Sequence, residues 1–431
     1  MHKKIIIALL LGLLVTSLFS IFSVSADVKI DYWIWDPTIR GKYKEAIKKF
    51  ESQNPNIKVN LTAIEPDKYW TKMRLNARTN QLPDVFNMST AYIEQWVSNG
   101  SVMALDKFIE KDLNKDKYFS SLFDVVSFDG STYALPFAWV TPIMYYNKDA
   151  FDKAGLDYPT NDWTWDDFLN AAKKLTVDKN GDGKIDRWGF WFYGRYAHIE
   201  PWIYQNNGRL LDKDKKNFDP SPEAMEALRF LTDLVTKHKV APPKKAMSGI
   251  DQQNVFPQGE AAMWVDGSWS IENNRRIIGN SFDWGIAKVP RGPSWEEDTL
   301  FAWPDNIAIS PNTKHPEAAW KLAKFFSGPG LSADLYMSGK VPSYNPLASK
   351  EGFFDKDAQP SNISKLLDWG SQPMKTSFTK SWSEWRGYGG AEGLGLTGAI
   401  DQVINGSKSF DKAMKEASQY INEVLDEAYE N

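Results

Sequence analysis

Stretches with a strand period and stretches with a helix period alternate along the chain from residue 28 to residue 100. Residues 28–35 alternate between apolar and polar positions, and Tyr43, Ala46 and Phe50 then fall on one face of a helix. The elements predicted here are a strand at 28–35, a helix through 43–50, strands at 57–61 and 83–89, a helix at 67–78, and a helix that Thr90 caps and 99–100 ends. Strands and helices in this order predict a mostly parallel sheet covered by helices.

A second set of strands and helices follows, and we expect the chain to cross to a second lobe between residues 134 and 146. Thr164 and Asp167 have the spacing of a capping box at the start of one helix. The predicted elements are helices at 148–154 and 165–175, strands at 188–193, 284–290 and 300–310, helices from 222 and from 316, and a largely helical end after a last crossing at 328–330. The pattern therefore predicts an α/β protein with two lobes.

The stretch 256–269, FPQGEAAMWVDGSW, joins a short apolar run to a polar end bounded by Gly. Residues 261–265 suit a buried strand, and Ser268 is positioned to cap a helix that starts near Ile271. Trp269 would then lie beside unpaired backbone N–H groups, an arrangement that suits a sugar. The alternative interpretation is a core strand with a capped helix behind it.

Four residues lie at the carboxyl ends of predicted strands, the edge at which open α/β sheets bind ligands. Trp35 and Asp36 follow the first strand, and Ser89 and Thr90 end the third. In a functional role they would supply an indole platform and hydrogen-bonding groups for sugar hydroxyls. The alternative is a core Trp with a solvated turn.

Two further aromatic groups carry polar neighbours. Trp303 and Asn306 belong to the polar entry of the strand at 300–310, where the lobes are expected to join. Trp382, Trp385 and Arg386 precede a Gly-rich run, which predicts a loop edge, and stacked indoles with a guanidinium fork would hold a sugar ring. Helix-packing aromatics with an Arg extended along them are the alternative.

Residues 178–186 carry the spacing D-x-N-x-D-G-x-I-D, which matches positions 1, 3, 5, 6 and 9 of a calcium-binding loop. Position 12 is Gly189 instead of a bidentate Glu, so a remote acid or water would have to complete the coordination. The candidate ligands are Asp178, Asn180, Asp182, Lys184 and Asp186. A structural Ca²⁺ ion and a surface turn both account for this pattern, and no other cofactor is expected.

The first 26 residues have the pattern of a cleaved export signal. Lys3 and Lys4 precede an almost wholly apolar run at 5–22, and 24–26 is a small-residue cleavage site. The run is near the lower length limit of a membrane span, but the small residues favour cleavage. Because the chain has no Cys, neither a disulfide nor a lipid-modified cysteine is available, and we expect a periplasmic or secreted protein.

Composition limits the classes of partner. Without residues 1–26, 49 Lys and Arg stand against 55 Asp and Glu, a formal charge of −6, which argues against nucleic acid and an anionic membrane surface. The 405 residues that remain of 431 exceed what one core usually holds, and 19 Trp are more than a core needs. We therefore expect two lobes with indoles lining a cleft.

Two motifs in this order and spacing resemble the extracellular solute-binding proteins of sugar ABC transporters. The first comprises ALPFAW at 134–139 and IMYYNKDAF at 143–151, and the second is F-x-x-G-x-A-A-M-x-x-x-G-S-W at 256–269. Other landmarks fit over nearly all of the mature chain, although Ile143 stands where the family usually has a smaller residue. The resemblance implies two lobes, each a mostly parallel sheet flanked by helices, with a ligand cleft between them.

The resemblance also implies how the chain divides and where a ligand binds. The first lobe would comprise 27–139 and 288–330, and the second 140–287 and 331–431. The aromatic strand at 188–193 and the apolar, amide-rich loop at 202–208 would lie at the cleft. With the residues named above, the expected ligand-binding set is Trp35, Asp36, Ser89, Thr90, Trp139, Tyr193, Trp202, Gln205, Asp266, Ser268, Trp269, Trp303, Asn306, Trp382, Trp385 and Arg386.

The sequence contains no convincing catalytic set. His198, His238 and His315 are widely separated, and no G-x-S-x-G, HExxH or phosphate-binding loop is present. Together with this absence of catalytic motifs, the resemblance implies a monomeric binding protein, not an enzyme, that closes on an oligosaccharide and delivers it to the permease subunits of an ABC importer. A secreted glycoside hydrolase or lyase is the alternative, and a structural surface protein with a calcium-stabilised loop is a third.

Overall fold

The computed structural model describes residues 27–330, 339–348, 358–370, 372, 374–388 and 393–430, and the expected export signal lies outside them. The strands are β1 Val28–Ile34, β2 Ile57–Ala63, β3 Val85–Ser89, β4 Ser127–Phe128, β5 Ser131–Thr132, β6 Leu135–Val140, β7 Pro142–Asn147, β8 Trp188–Trp191, β9 Ala261–Gly267, β10 Trp284–Ala287, β11 Leu300–Phe301, β12 Trp303–Ile309, β13 Val341–Pro342 and β14 Met374–Lys375. The helices are α1 Arg40–Gln53, α2 Pro66–Arg78, α3 Thr90–Ser98, α4 Asp106–Asp112, α5 Ser121–Asp124, α6 Lys148–Ala154, α7 Trp165–Leu175, α8 Tyr196–Tyr204, α9 Pro222–Thr236, α10 Ile271–Ile278, α11 Pro316–Ser327, α12 Asn345–Ala348, α13 Lys365–Trp369, α14 Trp382–Arg386, α15 Gly395–Ile404 and α16 Phe410–Glu430. Short 3-10 turns lie at Pro37–Ile39, Lys115–Lys117, Lys244–Met247 and Ser268–Ser270.

The first sheet has six strands in the order β13-β6-β12-β3-β1-β2. β1 pairs in parallel with β2 on one side and with β3 on the other, whereas β12 runs antiparallel to β3 and β6. After β1 the chain adds β2 on one side of it and then β3 on the other. This reversal creates a switch point between β1 and β3. Open α/β sheets bind ligands outside the carboxyl ends of the strands at such a point.

The second sheet has four strands in the order β10-β7-β9-β8. β7 is antiparallel to β10 and β9, and β8 is parallel to β9. Thr141 alone separates β6 of the first sheet from β7 of the second, within the interval where the sequence predicts a crossing. β13 joins the first sheet although 331–431 was assigned to the second lobe, and the exact division of the chain stays a prediction.

Helix α1 shows how the first sheet is covered. Tyr43, Ala46, Ile47 and Phe50 are its buried residues, as the helix period predicts. The ring of Tyr43 stacks on Phe326 of α11 at 5.3 Å between centroids. Each large side chain buried in this way stabilises the fold by about 1.5–3 kcal/mol relative to exposure.

The predicted capping box at the start of α7 is confirmed. The backbone N–H of Asp167 donates to Thr164 Oγ1 at 3.3 Å, and the backbone N–H of Thr164 donates to Asp167 Oδ2 at 2.9 Å. These hydrogen bonds from the backbone and the hydroxyl of Thr164 lower the pKa of the Asp167 carboxyl.

Four local predictions are wrong. Ser89, not Thr90, caps α3, because its Oγ accepts from the N–H of Ala91 at 3.3 Å. Ser268 caps no helix, since it begins a 3-10 turn that precedes α10. The predicted loop at 202–208 starts inside α8, and Trp382 and Trp385 lie in a short helix instead of a loop edge.

Among the described helices, none combines the length and the apolar character that crossing a bilayer requires.

Candidate functional site

A cavity of about 650 Å³ lies between the two sheets, and we call it the interlobe cleft. Its first wall comes from residues at the carboxyl ends of β1, β2 and β3, and its second wall follows β8 and β9. Three other cavities have comparable volumes, about 530, 590 and 870 Å³, but among the described residues none of them is lined by a Trp. The interlobe cleft is lined by Trp35, Asp36, Pro37, Thr38, Glu65, Trp70, Ser89, Ala91, Tyr92, Val140, Arg195, Tyr196, Asp251, Gln253, Trp269, Trp303, Asp305, Lys340, Phe378, Trp382 and Tyr388.

The first wall carries a continuous aromatic surface. Trp35 follows β1, Trp70 lies in α2 and Tyr92 lies in α3. The ring centroids of Trp35 and Trp70 are 5.9 Å apart, and those of Trp70 and Tyr92 are 4.3 Å apart. Because Trp35 and Trp70 are only partly buried, part of each ring remains available to a ligand in the cleft.

Aromatic rings from the two sheets meet at the base of the cleft. Trp269 follows β9 of the second sheet, and its ring lies 5.6 Å from that of Trp303 in β12 of the first. Tyr196, at the start of α8, lies 5.7 Å from Trp303 and 5.0 Å from Trp382. A Cβ at Gly267 would lie 2.2 Å from the Trp269 indole, so glycine is needed for the ring to fold back against β9.

A buried ion pair supports the second wall. Arg195 Nη1 lies 3.3 Å from Asp266 Oδ1, with 11% of the Arg195 side chain exposed and none of Asp266. Ser270 Oγ donates to Asp266 Oδ2 at 2.7 Å. Burial alone would raise the pKa of Asp266, but Arg195, His198 and Ser270 more than offset it and the pKa is lowered. The pKa of Arg195 is raised, because Asp266 outweighs the opposing effect of burial, and the pair stays ionised.

His198 stabilises the same carboxylate without adding charge. Its Nδ1 accepts a hydrogen bond from the backbone N–H of Tyr193 at 3.3 Å, so in the neutral ring the proton is on Nε2. Nε2 lies 3.5 Å from Asp266 Oδ1. Burial lowers the pKa of His198 despite the neighbouring carboxylate, which keeps the ring neutral at physiological pH.

A second ion pair lies on the first wall. Lys340 Nζ donates to Asp305 Oδ2 at 2.7 Å, and both residues are at least nine-tenths buried. Burial acts to lower the pKa of Lys340, but Asp305, Tyr43 and Asp36 raise it further than burial lowers it. The ammonium also lies 5.9 Å from the ring centroid of Trp35. The cleft therefore offers N–H donors, carboxylates and aromatic rings on both walls.

Six residues of the predicted set line the cleft. They are Trp35, Asp36, Ser89, Trp269, Trp303 and Trp382.

Thr90, Asn306, Ser268 and Asp266 lie behind the lining. Thr90 Oγ1 donates to the carbonyl of Pro304 at 2.7 Å, and Asn306 Nδ2 donates to Thr90 Oγ1 at 3.0 Å, so this pair joins β12 to α3. Ser268 exchanges backbone and side-chain hydrogen bonds with Thr141 where the chain crosses between sheets. Asp266 holds Arg195 through the ion pair described above.

The prediction that Arg386 faces the cleft is wrong. Its side chain is fully buried, with Nε 2.9 Å from Glu200 Oε1. Nη1 donates to the carbonyl of Gly194 at 3.1 Å and to Thr397 Oγ1 at 2.8 Å. Arg386 is therefore a structural residue that connects α14, α8 and α15.

Three predicted indoles belong to the core instead of the cleft. Trp139 is fully buried in β6, where the neighbouring Val140 lines the cleft. Trp202 packs in α8 with its ring 4.9 Å from Phe168, and Trp385 Nε1 donates to Thr379 Oγ1 at 2.8 Å. All three fill space between helices and sheets.

Tyr193 and Gln205 also lie outside the lining. The Tyr193 ring packs edge-on against His198 at 4.6 Å and lies under Lys244 Nζ at 4.7 Å. Gln205 Nε2 donates to the carbonyl of Thr299 at 2.6 Å, so the amide connects two chain segments.

The sequence-based predictions missed seven of the nine non-aromatic polar residues that line the cleft and five of its nine aromatic residues. Glu65, Trp70 and Tyr92 lie just beyond strand ends or in the first turns of the helices that follow. Extending the prediction from each strand end into the start of the following helix would have identified them. Strand alternation would have identified Asp305, which shares a face with Trp303 two residues earlier, in place of Asn306. The other missed polar or aromatic residues are Thr38, Arg195, Tyr196, Asp251, Gln253, Lys340, Phe378 and Tyr388.

The loop at 178–186 is exposed and closes through its own backbone. Asp178 accepts from the N–H groups of Gly181 and Gly183 at 2.7 and 2.8 Å. Asn180 Oδ1 accepts from Asp182, whose carboxylate accepts from Lys184, and Asp186 accepts from Lys179. In the described part of the chain no group of three or more acids or His is arranged to hold a metal, and calcium binding stays a prediction.

Comparisons with known proteins agree with this architecture. The model of the family described as bacterial extracellular solute-binding protein matches residues 36–331. A protein of Brucella abortus named as a binding protein is 27% identical over 334 residues, which cover 76% of this chain and 78% of the relative. The maltodextrin-binding protein MdxE of Bacillus subtilis is 24% identical over 395 residues, 90% of this chain and 88% of the relative.

Among solved structures, an ABC substrate-binding protein of Listeria monocytogenes in complex with cycloalternan is similar over 93% of this chain and 99% of that one. The TM-score is 0.79 and the sequence identity is 27%. This likeness confirms the predicted two-lobed α/β fold. The prediction that each sheet is mostly parallel is wrong, because five of the eight pairings among the described strands of the two sheets are antiparallel.

Proposed function

We propose that this chain, which belongs to the bacterial extracellular solute-binding protein family, binds an oligosaccharide in the interlobe cleft. The observation that carries the proposal is the set of aromatic rings that both sheets contribute to one cavity of about 650 Å³. That volume lies in the range of ligand sites and accommodates more than one sugar ring. The names of the Bacillus and Listeria relatives, which refer to maltodextrin and cycloalternan, support the same ligand class.

The cleft has the chemistry that carbohydrate binding requires. Sugars present apolar ring faces, which stack on indoles such as Trp35 and Trp70, and hydroxyl groups, which exchange hydrogen bonds with carboxylates and N–H donors. Contacts to both walls form together only when the lobes are close. A ligand that contacts both walls therefore shifts the population towards the closed state.

The proposal extends to transport. A protein of this family that captures an oligosaccharide outside the cytoplasm would deliver it to the membrane subunits of an ABC importer. Reconstitution of the protein with the membrane subunits of a sugar ABC importer, followed by measurement of labelled sugar inside vesicles, tests this step. Uptake that does not depend on the protein would contradict it.

Binding is tested with a panel of gluco-, manno-, xylo- and arabino-oligosaccharides, read by Trp fluorescence and isothermal titration calorimetry. Native mass spectrometry of gently purified protein identifies any sugar that remains bound. We expect saturable binding of at least one oligosaccharide. Chromatography of each mixture should show no shorter products, and their formation would favour a glycoside hydrolase or lyase.

A pair of Trp variants locates the site. Replacing Trp35 with Ala removes a partly buried ring that lines the cleft, and we expect affinity to fall by about 2–3 kcal/mol, roughly 30- to 150-fold. Trp163 is also partly buried but lies outside the cleft lining, so Trp163→Ala serves as the matched control. Equal affinities of the two variants would show that the sugar binds elsewhere.

A further inference from the structure

The interlobe cleft contains more acidic than basic side chains. Its lining includes four carboxylates and two cations. The carboxylates belong to Asp36, Glu65, Asp251 and Asp305, and the cations to Arg195 and Lys340.

Both cations are already paired with a buried carboxylate. Lys340 Nζ lies 2.7 Å from Asp305 Oδ2, and Arg195 Nη1 lies 3.3 Å from Asp266 Oδ1. Asp305 is 7% exposed and Asp266 is fully buried, so water screens neither pair well. Arg195 and Lys340 can therefore donate hydrogen bonds to a ligand, but they supply no net positive charge.

The other three carboxylates have no such partner. Among the ion pairs within 4.0 Å in the described part of the chain, none includes Asp36, Glu65 or Asp251. Asp36 accepts from the N–H of Thr38 at 3.0 Å, and Asp251 accepts from the N–H of Gln253 at 3.0 Å. These donors are neutral. Asp36 also interacts with Lys340 at longer range, but Asp305 already balances that cation, so a net negative charge remains.

Both walls carry this excess charge. Asp36 and Glu65 follow β1 and β2 on the first wall, and Asp251 lies on the second, ten residues before β9. The segments 331–338 and 389–392, which adjoin Lys340 and Tyr388 in sequence, contain one acid each and no Lys or Arg.

We propose that the interlobe cleft selects oligosaccharides without carboxylate groups and excludes those built from uronic acids. This inference rests on the proposed function. Sugar hydroxyls accept hydrogen bonds from the paired cations and donate to the three free carboxylates, which satisfies both partners. A ligand carboxylate finds no unpaired cation and approaches like charges from both walls in a partly desolvated cleft, which is unfavourable.

The test compares three forms of one sugar. A neutral oligosaccharide that binds in the panel is oxidised at its primary hydroxyls to the uronate, and the uronate is converted to the uncharged uronamide. Titration calorimetry should show the uronate binding at least tenfold more weakly than the uronamide. The difference in affinity between uronate and uronamide should become smaller as ionic strength rises, because salt screens the repulsion between the ligand carboxylate and the cleft carboxylates.

Charge variants locate the repulsion. We call the ratio of uronamide affinity to uronate affinity the uronate penalty. Glu65 and Asp251 are exposed, so the double variant Glu65→Gln/Asp251→Asn should fold, and it should reduce this penalty at least threefold. Glu110→Gln removes the same kind of charge from an exposed position on α4 outside the cleft lining and should leave the penalty unchanged.

Three results would overturn the selectivity and leave the binding function intact. They are uronate binding as tight as that of the uronamide, a penalty that salt does not change, and an equal penalty in the double variant and the Glu110→Gln control. Absence of binding by every sugar in the panel would instead contradict the proposed function, and the selectivity with it.

Discussion

Replacement of Arg386 by Met separates a structural role from a ligand-binding role. The guanidinium is fully buried and lies 2.9 Å from the Glu200 carboxylate, and it also donates to the carbonyl of Gly194 and the hydroxyl of Thr397. Arg386 does not line the interlobe cleft. The variant should therefore lose stability while it keeps its affinity for sugar.

The structure sets the size of this loss. Removal of one partner from a buried ion pair costs about 3–5 kcal/mol, because the remaining charge is left without compensation. The Glu200 carboxylate still accepts from Ser377 Oγ at 2.6 Å, and burial raises its pKa, which makes protonation easier. Both effects reduce the loss of stability, so we expect a value at the lower end of this range, about 3 kcal/mol. If the predicted second lobe of roughly 250 residues unfolds as a unit, Tm falls by at least about 6 °C.

Urea unfolding and thermal unfolding measure the stability, and calorimetry well below Tm measures the affinity. The double variant Arg386→Met/Glu200→Gln should recover part of the loss, because it removes both charges. Lys111→Met is the control, since its ion pair with Glu317 is largely exposed and should contribute less than about 1 kcal/mol. A variant with wild-type stability and tenfold weaker sugar binding would refute the structural role.

Three other perturbations have defined outcomes. Gly267→Ala should displace the Trp269 indole, because the new Cβ would lie 2.2 Å from it, and should weaken sugar binding at least tenfold in calorimetry; Gly249→Ala, which meets nothing within 4 Å, should not. The pKa of Asp266 is lowered in the fold, so the stability it contributes is present above its unfolded pKa of about 3.9 and is lost as pH falls through the lower folded value. Urea unfolding below pH 4 should therefore show a steeper decline in wild type than in Asp266→Asn. The calcium hypothesis predicts a Tm that rises with millimolar Ca²⁺ and a smaller rise in Asp178→Asn; equal melting with Ca²⁺ and with chelator would leave the loop as a surface turn.

The sequence predicted the family and the fold class, and the comparisons confirm both. It succeeded because strand and helix periods are local properties, and because the motifs at 134–151 and 256–269 are long enough to be specific. It also placed Trp35, Asp36 and Ser89 correctly at the cleft, since the carboxyl ends of neighbouring parallel strands share one edge.

The errors share a physical cause. An indole or an Arg has the same local signature in a core as in a cleft, and only the packing of distant elements decides between them. Trp382 lines the cleft while Trp385, one turn later, is buried against Thr379. Similarly, the acid that partners Arg386 lies 186 residues away in sequence. No spacing rule identifies such a partner.

The charge of the cleft follows from the same kind of distant pairing. The formal charge shows only that acids exceed bases, and it assigns no sign to any surface. Asp305 lies 35 residues from Lys340, and Asp266 lies 71 residues from Arg195, yet both pairs form inside the fold. Because folding neutralises these two cations and leaves Asp36, Glu65 and Asp251 unpaired, a cleft with N–H donors on both walls becomes unfavourable for anions. Tertiary pairing, more than the number of charged residues, therefore determines which sugars we expect it to accept.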